Sequence, residues 1–418
     1  LAGILFTNAC AVFAALALYR LTLQAFVDER IAFLSAVCFC INPSGIFMSS
    51  IYSESPFALL TFVGHSFMLS GRYTGAAALW CLASMTRANG IMYCGFFVWE
   101  FAFQRLSARF GLMQVSAPLF SVCRLGSPLF CVVQISGCSD WICPQLPPHI
   151  RQQVTAAMDA VPYILVVLAG FLGFQYFAWT KHCATWLRPP DRRPWCDRRL
   201  PLVYSFVQRE YWRVSHSHAR GFQVFSSRAL CLPWLTSLRP AHDRNNGFLN
   251  YWTTKQAPNF LLASCILAFS AWGIWTYAAA DWRRFLSAGI YDPRLPDGGI
   301  GGWFTTLADM MTARFPPPLL VPPIPSADAA GFPSQAFGAS RDMLPHVYLW
   351  AFLLGLNTLF THVQIAARFL SGLPVLYWFA ATVLLRDGGR ASSRIVVTVA
   401  VVYAAVGLPL FAGFFPPA

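Results

Sequence analysis

A few polar constellations interrupt a sequence that is otherwise apolar, and their residue types limit the chemistry it could perform. The first is Asn42-Pro-Ser-Gly followed by Tyr52-Ser-Glu-Ser-Pro. Pro43 biases Asn42 away from helix, so the chain should turn here. Glu54 is the only carboxylate between Arg30 and Glu100. Two readings of it stand. Ser53 or Ser55 could cap a helix whose N-terminal dipole favours Glu54. Alternatively, Glu54 could orient a substrate hydroxyl or act as a base.

The second constellation is Thr86-Arg-Ala-Asn-Gly. Arg87 falls in a long apolar stretch, where an ionisable residue is costly and marks a functional site by default. Its guanidinium offers a fork of donors matched to phosphate oxygens. Asn89-Gly90 can break a helix and leave backbone groups facing a cavity. The competing reading is a helix break from which Arg87 snorkels to an interface.

A third group is Pro194-Trp-Cys, Pro201 through Tyr204 to Gln208, and Tyr211-Trp212. Such aromatics suit a membrane-interface belt or a stacking surface. The fourth is His362-Val-Gln364 with Arg368-Phe-Leu, where interface anchoring of Arg368 is the simplest reading.

The elements that must position these groups are membrane helices. Charge-free stretches run over Leu1–Tyr19, Ile31–Ser53, Ser55–Gly71, Ala160–Thr180, Gln256–Ala280, Met343–Ala367, Phe369–Leu385 and Ile395–Ala418. Each is about the 17–25 residues that cross a hydrocarbon core. Tyr73–Phe103 and Gly111–Val133 are two weaker candidates. The expectation is an all-α multi-pass membrane protein with 8–10 transmembrane helices. Arg20, Arg30, Arg72, Arg386, Arg390 and Arg394 place their loops in the cytosol. The 42–54 turn and the segment 181–257 then face the lumen, although 181–245 holds twelve basic against four acidic residues. Segment 281–342 is a Gly/Pro-rich cytosolic loop of a single polytopic domain spanning 1–418.

Composition agrees. Of 418 residues, 56% are hydrophobic and 11% charged, too few polar groups to cover a soluble globule. The net charge of +13 suits anionic lipid head groups. Thirteen cysteines show no zinc spacing, so no metal is expected. Cys183 and Cys196 lie in a polar segment and could pair in an oxidising lumen. There is no nucleotide-binding loop and no G-x-S-x-G elbow.

Taken in order, these motifs resemble those of the GPI mannosyltransferase 2 (PIG-V) family. The resemblance rests on Asn42-Pro-Ser, Tyr52-Ser-Glu-Ser, Phe57-Ala-Leu-Leu-Thr-Phe, Arg87-Ala-Asn-Gly, Pro194-Trp-Cys, Pro201 to Gln208, and Tyr211-Trp212. It continues through Asn246-Gly-Phe-Leu, Lys255-Gln-Ala-Pro-Asn-Phe-Leu-Leu, His362-Val-Gln and Arg368-Phe-Leu. It implies a glycosyltransferase of the C fold in the endoplasmic reticulum membrane. The donor would be dolichyl-phosphate-mannose, with no separate cofactor. The second, α-1,6-linked mannose would pass to the GPI precursor on the luminal side, with a small membrane subunit as partner. Asn42, Tyr52, Arg87, Asn89, Gln208, Tyr211, Trp212, Asn246, Gln256, His362, Gln364 and Arg368 become candidate substrate contacts. Arg87 and Arg368 would face the leaving phosphate, and Glu54 would be the nearest luminal carboxylate.

The sequence departs from the family pattern in two ways. It opens at Leu1 inside an apolar run, so a preceding span and a luminal loop carrying the family's Trp-Asp-type carboxylate are expected upstream. The family runs from Tyr-Trp directly to Asn-x-Gly-Phe-Leu, whereas here 213–245 intervenes, opening Arg213-Val-Ser. We read 213–245, and 112–151 behind Gln114-Val-Ser, as retained-intron inserts. A lipid carrier or flippase, or a catalytically dead fragment of the transferase, is the alternative reading.

Overall fold

The computed structural model describes residues 1–104, 158–183, 193, 195–197, 201–204, 248–249, 251–286, 337, 341–386 and 391–412. The stretches 112–151 and 213–245 read as inserts lie outside these, as do the Gly111–Val133 candidate span and most of the 281–342 loop. The described chain is helical: α1 (Ala2–Phe26), α2 (Glu29–Cys40), α3 (Gly45–Ser49), α4 (Glu54–Leu69), α5 (Tyr73–Thr86), α6 (Cys94–Val98), α7 (Val161–His182), α8 (Ala257–Ala280), α9 (Trp282–Leu286), α10 (Leu344–Leu359), α11 (Ala366–Leu370), α12 (Pro374–Arg386) and α13 (Ala391–Ala412). A 3-10 turn at Ala88–Tyr93 precedes α6, and another at Val363–Ile365 precedes α11.

Local chemistry explains the ends. Val27 takes the left-handed conformation (φ 55°) and returns its N–H to Leu23 O, closing α1. Asp28 caps α2, accepting from the backbone of Arg30 at 2.7 Å and Ile31 at 3.2 Å. Gly71, at φ 70°, turns α4 into α5.

Among the described residues, α1, α7 and α8 are long and apolar enough to cross a membrane. A fourth candidate is the pair Val363–Leu370 and Pro374–Arg386, bent by 84°. Other apolar stretches divide at the polar motifs. Ile31–Ser53 breaks at Asn42-Pro43, and Tyr73–Phe103 breaks at Arg87 into a 3-10 turn and short helices. Met343–Ala367 breaks after Leu359, and Phe369–Leu385 breaks at Ser371–Leu373. Each break frees backbone groups that a lipid-facing helix would have to bond internally. Hydropathy alone reads through such breaks because the flanking residues remain apolar.

The core forms around α12, whose residues Pro374–Ala381 are all buried. An apolar helix covered on all sides belongs at the centre of a bundle. Trp378 Nε1 donates to Thr22 Oγ1 at 2.8 Å, and Thr22 in turn bonds Leu18 O at 2.7 Å, tying α12 to α1. On the other flank α5 and α7 pack closely. A Cβ at Gly170 would stand 2.1 Å from Cys81 O, so glycine is required for that approach.

The side-chain bonds between helices sort their ends into two groups. Asn8 bonds Ser49 O at one end of α1, while Gln24 bonds Ser66 at the other. Trp252 Nε1 donates to Thr358 O beside the C-terminus of α10. Tyr348, near the N-terminus of α10, bonds Phe285 O. The breaks at 42–43, 87–90 and 360–373 therefore gather at one end of the bundle, the end read as luminal.

Candidate functional site

Glu54 opens α4 at that end. Ser53 occupies the N-cap position without a side-chain cap bond, and Ser55 Oγ instead bonds Met48 O at 2.5 Å. Neither serine caps through its hydroxyl, and the Glu54 side chain turns inward with none of it exposed.

Two arginines meet it. Arg87 is the residue at which α5 ends, with extended backbone (φ −147°, ψ 136°). Its Nη1 lies 3.1 Å from Glu54 Oε1. Arg368, on α11 before the 84° bend, donates from Nε to the same Oε1 at 2.6 Å, and its Nη2 also contacts that oxygen. Two cations thus share one oxygen of one carboxylate. Glu54 Oε2 is buried without a hydrogen-bond partner among the described residues.

Aromatic rings hold both guanidiniums. Arg87 lies 5.6 Å from the Phe57 ring and 5.4 Å from Phe369. Arg368 lies 4.3 Å from Phe47 and 5.0 Å from Tyr52. These are cation–π distances and they fix the forks in place. The cluster opens toward Arg368, whose side chain is 26% exposed against 12% for Arg87.

Gly90 makes the Arg87 geometry possible. A Cβ there would sit 2.6 Å from the backbone N of Ser84, because the 3-10 turn folds back onto the last turn of α5. Asn89 is half-buried in that turn.

The other sequence-derived candidates fall into distinct places. Asn42 is buried. Its Oδ1 accepts from Ser44 N and Ser44 Oγ, each at 2.6 Å. Its Nδ2 donates to Phe39 O and the Tyr377 hydroxyl. The side chain pins the α2–α3 turn to α12. Gln256 stands at the N-cap of α8 and accepts from Asn259 Nδ2 at 2.5 Å, while the same amide donates to Tyr251 Oη at 3.0 Å. The ring of His362 stands edge-on to Tyr251, 4.7 Å away. Gln364 lies half-buried in the 3-10 turn between His362 and Arg368, which links this second polar group to the Glu54 cluster. Gln208, Tyr211, Trp212 and Asn246 lie outside the described residues.

Tyr204 was not among the candidates, although its motif was. It stacks on Phe171 at 5.5 Å, next to the bond from Val203 N to Gln175 Oε1 at 2.9 Å. Burial pushes its phenol above the ordinary range, and the charge of Arg87 pulls the other way. The segment 201–204 therefore lies within electrostatic reach of the cluster. The signal in the sequence was only an aromatic after Pro201.

Cys183, just past α7, is disulfide-bonded to Cys196, with Cα atoms 5.1 Å apart. The bridge packs with Trp195 and Ala178. A disulfide belongs with an oxidising compartment.

Chemically the arrangement is a net-cationic cluster with aromatic rings against both guanidiniums. It offers guanidinium donors for an anion, and Glu54 Oε2 has no hydrogen-bond partner among the described residues.

Comparison with known proteins gives the following. A family model described as mannosyltransferase (PIG-V) matches residues 2–148, 145–225 and 223–418. Its seams fall within the two stretches read as inserts. GPI mannosyltransferase 2 of Gibberella zeae is 27% identical over 417 residues, 97% of this chain and 71% of that protein. The human GPI alpha-1,6-mannosyltransferase 2 is 26% identical over 89% of this chain and 59% of its own length. The Schizosaccharomyces pombe GPI mannosyltransferase 2 is 24% identical over 96% and 60%. The chain thus spans about 60% of the mammalian and fission-yeast relatives. No solved structure matches.

Proposed function

This chain belongs to the mannosyltransferase (PIG-V) family, and from that premise we propose that it is part of an enzyme adding a mannose to the GPI precursor at the luminal face of the endoplasmic reticulum membrane. The donor is dolichyl-phosphate-mannose and the linkage α-1,6. An acceptor hydroxyl attacks the anomeric carbon, and its proton passes to the departing dolichyl phosphate. The bond from that carbon to the phosphate oxygen breaks, and the electron pair leaves on the lipid phosphate.

The observation that carries this reading is the pair Arg87 and Arg368 held on Glu54 Oε1. Phosphate gains charge as the sugar departs, and fixed cations in a site with little water stabilise that charge without reorganising. Glu54 serves to aim both guanidiniums. Without it two like charges would face each other in a buried site. Tyr52 and Phe47 supply flat walls beside Arg368, and the Tyr251–Gln256–His362 group extends the polar surface along the same end.

The test is complementation of cells lacking the second mannosylation step, using the full-length protein. Wild type restores GPI-anchored proteins at the cell surface, and Arg87→Ala does not, at equal protein level. Restoration by Arg87→Ala at the wild-type level would refute the assignment.

A further inference from the structure

The opposite end of the bundle carries a feature that mannosyl transfer does not use. A furrow of about 570 Å³ runs between α1 and α4. Its walls follow helical spacing on both sides. Phe13, Leu16 and Ala17 lead to Arg20 and Gln24 on α1, and Leu59 and Val63 lead to Ser66 on α4, with Ser70 and Arg72 just beyond it. The furrow is apolar in its middle and polar only where it reaches the end read as cytosolic.

We propose that this furrow binds one anionic glycerophospholipid of the cytosolic leaflet, acyl chain along the apolar walls and phosphate between Arg20 and Arg72. Charge supports that occupant. Arg20 and Arg72 are both exposed, and neither pairs with a carboxylate among the described residues. The ring contact of Arg72 among the described residues is Phe67, 5.9 Å away. Gln24 Oε1 is occupied by Ser66 Oγ at 2.5 Å, leaving the Gln24 NH2 group as a further donor beside the arginines. Length supports it too. From Leu59 to Ser70 a helix rises about 16 Å, close to the roughly 15 Å depth of one leaflet. Phe13 and Leu16 remain more than half exposed, as surface in contact with a lipid chain would be. A free phosphate would use the arginines but not the apolar length.

The test uses the full-length protein in nanodiscs of phosphatidylcholine with added phosphatidylserine, followed by release into the gas phase and counting of retained lipids by native mass spectrometry. Wild type should retain one phosphatidylserine in preference to phosphatidylcholine. Arg20→Gln with Arg72→Gln should lower that preference by roughly fivefold or more for each charge removed. Arg20→Lys with Arg72→Lys should keep it. Val63→Trp leaves the arginines in place and fills the furrow, so it should lose the retained lipid as well. An unchanged preference in the double glutamine variant would overturn the proposal. So would retention by Val63→Trp, because the lipid would then be held by surface charge alone. No retained lipid in wild type would mean that another part of the chain fills the furrow, and would also overturn it. Mannosyl transfer by the glutamine variants separates this test from the luminal site, since neither arginine belongs to it.

Discussion

Arg368 Nε and Glu54 Oε1, 314 residues apart in sequence, are hydrogen-bonded at 2.6 Å. That contact joins the start of α4 to α11, the first member of the bent pair, and Arg87 reaches the same oxygen from the end of α5. Three helix breaks, each costly in an apolar environment, are therefore used together. They bring one carboxylate and two guanidiniums to a single point.

Removing the carboxylate should be worse than removing its nearest neighbours. Glu54→Ala leaves two guanidiniums without their shared partner, and uncompensated buried charge costs on the order of 3 kcal/mol. Glu54→Gln keeps the volume and an acceptor oxygen. We expect Glu54→Ala to lower the thermal unfolding midpoint in detergent clearly and Glu54→Gln to do so less, with both reducing mannose transfer. Equal midpoints for Glu54→Ala and wild type would show that the arginines do not depend on Glu54.

Arg368→Lys preserves charge but not the fork. A lysine cannot place two donors on one oxygen and stack on Phe47 and Tyr52 at once. Transfer measured in microsomes should fall by at least about tenfold, with normal insertion and protein level. Wild-type transfer would reduce the requirement at Arg368 to a positive charge alone.

Gly90→Val tests the turn that aims Arg87. The added Cβ would come within 2.6 Å of Ser84 N, so the 3-10 turn must shift. The expected result is loss of transfer together with faster tryptic cleavage after Arg87. Retained transfer would show that the turn tolerates displacement without moving the guanidinium.

The Cys183–Cys196 bridge closes a short loop on the proposed luminal side. Loops of this size stabilise by about 3 kcal/mol in the chain-entropy picture. In sealed microsomes wild type should show no labelling of these two cysteines by a membrane-impermeant maleimide, even after permeabilisation, until a reductant is added. Cys183→Ser should expose Cys196 to the reagent only after permeabilisation. Labelling of Cys196 in that variant in intact microsomes would put the loop in the cytosol.

The sequence made Arg87 and Arg368 conspicuous because each is a charge in an apolar run, and it made Glu54 conspicuous because no other carboxylate lies nearby. Asn42-Pro43 and Asn89-Gly90 announced breaks through their backbone chemistry. The possible Cys183–Cys196 pair followed from two cysteines in a polar stretch. Other features had no local signal. That Glu54 takes both arginines on one oxygen depends on contacts across the whole chain. Asn42, a candidate substrate contact, bonds within the fold through both ends of its amide. Tyr204 takes its place by stacking on Phe171 of α7. His65 and His346, buried with ring centres 4.6 Å apart, sit in apolar helices whose pattern gives no hint that they meet. Hydropathy likewise gives no sign of how short α2, α5 and α10 are beside the apolar stretches that contain them.

The most direct measurement is radiolabelled mannose transfer from dolichyl-phosphate-mannose in microsomes carrying full-length wild type, Arg87→Ala, Arg368→Ala and the double variant at matched protein levels. If the two guanidiniums receive the leaving phosphate, each single variant should lose about 100-fold or more in kcat/KM, as for removal of one preorganised donor to developing charge. Full transfer by either single variant, with the protein folded and inserted, would contradict the account.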